Sequence, residues 1–137
     1  MVCKEQEELI EILKDCYQFA KSEFHFDKPI KLILKRDQQN AEQGLFAKTA
    51  FYNPDNFSIT IFMTNRHTRD ILGSFFHEIF HHSQNCSGLF KNVDSAQDGY
   101  FLEDDYLNQI EEDAYKRGCM ACRKYRELKQ KEKGDIR

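Results

Sequence analysis

The chain of 137 residues has no tryptophan, only two prolines and six glycines. No apolar run approaches the roughly eighteen residues that a membrane-spanning helix needs, so no such span is expected. Basic charge is not in excess. Twenty Lys and Arg against 23 Asp and Glu leave a net charge of −3, which argues against a dedicated duplex-DNA binder. The opening Met1-Val2-Cys3-Lys4-Glu5-Gln6-Glu7-Glu8 is charged and helical in character, not the pattern of an export signal. A cytoplasmic protein is the expectation. Five cysteines are an odd number in such a chain and point to reduced thiols rather than a disulfide framework. Cys119-Met120-Ala121-Cys122 has no second C-x-x-C with which to build a structural zinc site, and reads as plain helix with Cys122 towards the core. Repeats and low-complexity tracts are absent.

What remains is enough for one domain over residues 1–137, with a core of about 4–126 and a basic tail from 127. Twelve Phe and six Tyr supply the aromatic filling. Residues 4–24 carry Leu9, Ile10, Leu13, Cys16, Tyr17 and Ala20 on one helical face. Pro29 breaks the chain, and Ile30 to Leu34 reads as a strand. A polar loop from Asp37 to Gly44 follows. Phe46–Tyr52 and Phe57–Met63 alternate about the turn Asn53-Pro54-Asp55-Asn56 and read as a hairpin. A helix around residues 70–82 and a last helix from about 103 to 132 complete the order. The expectation is an α+β domain with helices on one side of a small, mainly antiparallel three-stranded sheet.

The chemistry lies in His77-Glu78-Ile79-Phe80-His81, an H-E-x-x-H. Histidines at i and i+4 share a helix face and can reach one metal ion, while Glu78 can take a proton from metal-bound water. Ile71, Leu72, Phe75, Phe76, Ile79 and Phe80 make this a buried helix, with Thr68 and Asp70 as start signals and Gly88 beyond its end. His82 sits about 100° round from His81 and reads as a polar or supporting residue.

A catalytic zinc needs a third protein ligand and an open position. Leu107, Glu111, Ala114, Gly118 and Ala121 recur on one face that is apolar or small apart from Glu111, and a lone carboxylate there is the favoured ligand. Asp113, on the side of Ile110 and Met120, is a possible ligand. Glu112 reads as solvated or supporting. Tyr100, Tyr106, Tyr115 and His82 are candidates to stabilise a developing oxyanion.

H-E-x-x-H followed thirty residues on by Glu111-Glu112-Asp113-Ala114 resembles the gluzincin metallopeptidases, above all the compact ImmA/IrrE-type domains and the core of the HtpX/Ste24 group. Their second motif, Glu-x-Glu-Ala-Asn/Asp, ligates zinc through its first Glu, which implies Glu111. Asp113 stands at the more usual second Glu. Tyr115 stands where the family has an Asn or Asp that orients a histidine, so another group must do this or Tyr115 must supply its hydroxyl. Lys48-Thr49-Ala50-Phe51-Tyr52, Arg66-His67-Thr68-Arg69-Asp70-Ile71-Leu72 and the two motif strings are similar to small predicted metallopeptidases of tailed phages, over roughly residues 28–126. A phage protein would work in the host cytosol.

The resemblance implies a zincin-like fold and a zinc-dependent metallopeptidase. Zn2+ is held by His77, His81 and Glu111, Glu78 acts as general base, and the substrate is a protein or peptide. The alternative is a zincin-fold binding module, inactive or very narrow, that sequesters a host or regulatory protein. In zincins a strand beside the site can pair with an extended substrate, and residues 49–52 or 58–63 could do so. Charge is segregated late: eight acidic residues and no Lys or Arg from Asp94 to Asp113, then seven basic and three acidic from Arg123 to Arg137. The acidic run is expected to disfavour nucleic acid and favour a basic peptide.

Overall fold

The first amphipathic stretch folds as α1 (Lys4–Phe24) in a computed structural model that describes residues 4–90 and 104–134. Leu9, Leu13, Cys16 and Ala20 are buried and Ile10 and Tyr17 half-buried, as their helical spacing requires. β1 (Lys31–Lys35) follows Pro29. The stretch read as a polar loop contains one helical turn, α2 (Gln38–Ala41), capped by Asp37, whose carboxylate accepts the Asn40 N–H at 3.0 Å. A 3-10 turn (Gly44–Phe46) comes next and leaves Leu45 and Phe46 exposed.

β2 (Ala50–Asn53) therefore starts later than the Phe46 expected from alternation. The cause is Asn40. Its side chain donates to the Lys48 carbonyl at 2.9 Å and accepts the Lys48 N–H at 2.8 Å, which diverts Lys48 from any strand ladder. β3 (Ser58–Phe62) returns antiparallel to β2. Asn53 Oδ1 accepts the Asp55 N–H at 2.9 Å within the turn.

The strand order is β1-β3-β2. β3 is central and buried along its whole length. It pairs antiparallel with β2 but parallel with β1, so the sheet is mixed, not mainly antiparallel. A hairpin is set by a local turn. β1 reaches β3 only after the chain has crossed the sheet and come back to the same end, and such a crossover makes the pair parallel.

α3 (Thr68–Cys86) packs on this sheet. His67, not Thr68, caps it: the His67 side chain accepts the Arg69 N–H at 3.2 Å. Gly88, at φ +91°, turns the chain after its end. α4 (Asp104–Gly134) lies along α3 and touches α1. Tyr125 joins α4 to the core. Its ring packs on Phe19 and Phe76, and its hydroxyl donates to Asp15 of α1 at 2.8 Å. Phe75, Phe76, Ile79, Ile59, Ile61 and Leu13 fill the centre. The described residues thus form an α+β unit of four helices and one three-stranded sheet. None of their helices is long and apolar enough to cross a membrane.

Candidate metal centre

One helical turn separates His77 from His81, and both rings leave α3 on the side facing α4. Their Nε2 atoms meet the same oxygen of Glu111, at 3.0 Å from His77 and 2.9 Å from His81. One donor atom from each of the three residues falls within 4.8 Å of the others. The face of α4 explains how Glu111 gets there. Ile110, Ala114, Gly118, Ala121 and Cys122 are buried on it. A Cβ on Gly118 would lie 3.0 Å from His77 Cα and 3.0 Å from the Phe76 carbonyl oxygen. Gly118 thus lets the backbones of α3 and α4 close on each other beside His77. Glu111, two turns earlier on α4, then spans the gap with an ordinary side chain.

The chemistry of these atoms suits a cation. His81 Nδ1 is 2.8 Å from Gln84 Oε1. The amide oxygen can only accept, so His81 Nδ1 carries a proton and Nε2 is the atom turned to Glu111. The Gln84 amide is itself oriented by donating to the Ile110 carbonyl at 3.0 Å. Burial first, and then the neighbouring His81, hold the His77 pKa below the ordinary histidine range, so its ring is neutral at pH 7, the form that binds metals. Two imidazole nitrogens and a carboxylate oxygen within 4.8 Å of one another are a donor set that can hold a metal ion. Their 2.9–3.0 Å contacts are only a few tenths shorter than the roughly 3.3 Å between ligands of a tetrahedral zinc.

Glu78 is buried and lines the same cleft as His77 and Glu111, and burial pushes its carboxyl up to about 7. Tyr115 stacks its exposed ring on His77, with centroids 4.4 Å apart. It supplies no hydrogen bond to that histidine: His77 Nδ1 is buried with no partner among the described residues. Tyr115, four residues after Glu111, thus meets His77 through its ring alone.

The chain matches no protein-family model, no curated protein and no solved structure.

The other candidates are elsewhere. His82 is fully buried on the far side of α3, where its Nε2 donates to the Lys28 carbonyl at 2.7 Å and its Nδ1 accepts the Tyr52 hydroxyl at 2.7 Å. Asn85 in turn donates to the Tyr52 oxygen at 2.9 Å. His82 is a core anchor, because a step of about 100° carries it from the cleft to the sheet. Tyr106 donates its hydroxyl to the Leu89 carbonyl, fastening the start of α4 near the end of α3. Asp113 accepts from Gln109 at 2.9 Å, and Glu112 is exposed. Cys86 contacts His82 at 3.6 Å, on the side away from the cleft. Tyr100 lies outside the described residues.

The cleft has a volume of about 810 Å³. Besides His77, Glu78 and Glu111 it is lined by Thr49, Ala50, Arg66, Arg69, Arg123 and Arg126. Gln84 and the arginines were not singled out from sequence. Gln84 had a readable signal, a polar residue at i+3 from a candidate ligand on one helix. The arginines had none, since they come from separate segments.

Proposed function

We propose that this protein is a zinc-dependent hydrolase of peptide bonds, of the compact gluzincin kind, acting on a protein or peptide in the cytoplasm. The observation that carries the reading is the meeting of His77 Nε2, His81 Nε2 and Glu111 Oε1, with Glu78 in the same cleft. His77, His81 and Glu111 would hold the metal. Zinc there supplies a Lewis acid for a carbonyl oxygen and lowers the pKa of water to about 7. Glu78, whose burial sets its carboxyl near neutrality, takes the proton of the attacking water and hands it to the leaving amine. Gln84 keeps His81 in the ligating tautomer. Of the described residues expected to help the oxyanion, Tyr115 lines the cleft and is retained.

The edge of the sheet favours a peptide over other acyl substrates. Among the described residues, β2 pairs on one side only. The Phe62 N–H donates to the Thr49 carbonyl at 3.0 Å, so by antiparallel alternation Ala50 and Tyr52 turn their backbone groups away from β3. Thr49 and Ala50 line the cleft, so an extended chain can add there as a further strand.

The test combines elemental mass spectrometry with hydrolysis of a peptide library. Wild type should carry stoichiometric zinc, lost in Glu111→Ala, and Glu78→Gln should keep the zinc and lose hydrolysis. Wild type without zinc after reconstitution, or a fully active Glu78→Gln, would overturn the assignment. A stable protein complex that ignores Glu78→Gln would put the binding module in its place.

A further inference from the structure

Four arginines share one end of the cleft, and none of them is in an ion pair among the described residues. Two other cations of α4 are paired, Lys124 with Glu23 at 3.1 Å and Lys129 with Asp15 at 2.8 Å. Arg66 is fixed in place by neutral oxygens. It donates to the Thr49 and Phe62 carbonyls, both at 2.9 Å, to the Asp70 carbonyl at 3.0 Å and to Ser74 Oγ at 2.6 Å. Those bonds hold the guanidinium rigid without cancelling its charge. Arg69 in the first turn of α3, and Arg123 and Arg126 on α4, stand around it. The cleft's carboxylates are Glu78 and Glu111, both at the metal centre, and Asp70 alone beside the arginines.

We propose that this end of the cleft receives an acidic segment of the substrate, and that the protein selects peptides carrying Asp or Glu a few residues from the bond it cuts. The proposal rests on the hydrolytic reading only for the words "the bond it cuts"; the affinity for acidic chains stands separately. Arg69 precedes His77 by eight residues of α3, about 12 Å along the helix. An extended peptide covers that distance in three to four residues at about 3.3 Å each. The free edge of β2 leads it there, since Arg66 grips the Thr49 carbonyl at the start of that strand. The guanidinium forks of Arg69, Arg123 and Arg126 match carboxylates in two-point pairing, while Arg66, whose terminal N–H groups are already bonded, adds its charge. A strand edge offers backbone partners to a peptide and not to a nucleic acid, and the net charge of −3 also disfavours nucleic acid. The acidic run at 94–113, of which residues 94–103 lie outside the described residues, pointed to a basic peptide, whereas the arginines that line the cleft point to an acidic one.

Fluorescence anisotropy on zinc-loaded Glu78→Gln protein tests this with two labelled peptide pools, their randomised centres flanked by glutamates or by glutamines. The glutamate pool should bind about tenfold more tightly at low salt, and less so as ionic strength rises. The preference should vanish in the added triple variant Arg69→Gln, Arg123→Gln, Arg126→Gln, with fold and zinc content checked by circular dichroism and elemental analysis. Equal binding of the two pools, or a preference that survives the triple variant, overturns the proposal. So does tighter binding of a single-stranded oligonucleotide of matched charge. Hydrolysis by wild type separates the two readings. Glutamate peptides bound but never cut would sink the hydrolase and keep the arginine-lined cleft as a site for acidic chains. Zinc-dependent cutting with no charge preference would do the reverse.

Discussion

Gly118→Ala puts a single methyl group between the two helices that build the candidate centre. The new Cβ would meet His77 Cα and the Phe76 oxygen at 3.0 Å and His77 N at 3.2 Å. Such contacts are tighter than ordinary van der Waals distance, so α4 must retreat by a few tenths of an ångström. The atoms in the way are backbone and cannot rotate aside. Alanine gains about 0.8–1 kcal/mol over glycine inside a helix, whereas overpacking costs about 1–3 kcal/mol. The variant should therefore be less stable by roughly 0–2 kcal/mol. Glu111 moves with α4, and metal distances tolerate only about 0.2 Å, so zinc affinity should fall about tenfold or more. Urea denaturation of the zinc-free protein and chelator competition measure the two effects. Gly73→Ala is the control: that glycine is exposed on α3, and its added Cβ meets nothing within 4 Å. It should gain about 0.8–1 kcal/mol with zinc affinity unchanged. If Gly118→Ala behaves like Gly73→Ala in both assays, the close approach of α3 and α4 is not what positions Glu111.

Two further substitutions separate support of the centre from support of the core. Gln84→Leu removes the acceptor of His81 Nδ1–H and the donor to the Ile110 carbonyl, and should weaken zinc binding by about 10–100-fold in chelator competition. Unchanged affinity would mean that His81 needs no orienting partner. Tyr52→Phe strips His82 Nδ1 of its donor and Asn85 of one of its two acceptors, and should cost about 1–3 kcal/mol in urea unfolding with zinc affinity intact. Lost zinc with undiminished stability would return His82 to the centre.

Local rules carried the sequence a long way. Helical spacing was enough to bring His77 and His81 to one side of α3, to make Leu9, Leu13, Cys16 and Ala20 the inner face of α1, and to pick Glu111 from three neighbouring acids. Turn chemistry marked the β2–β3 hairpin. Each of these depends on residues a few positions apart. Other features depend on which distant surfaces meet. The parallel seat of β1 beside β3 followed from the path of the chain between them. His81 and His82 are adjacent and chemically identical, yet one faces Glu111 and the other is locked to Lys28 and Tyr52. The 100° step between them was legible in the sequence, but only the docking of α3 between the sheet and α4 supplies the partners of each. The four arginines of the cleft were likewise unreadable as a group, because charge gathers across a groove only once the helices beside it have packed.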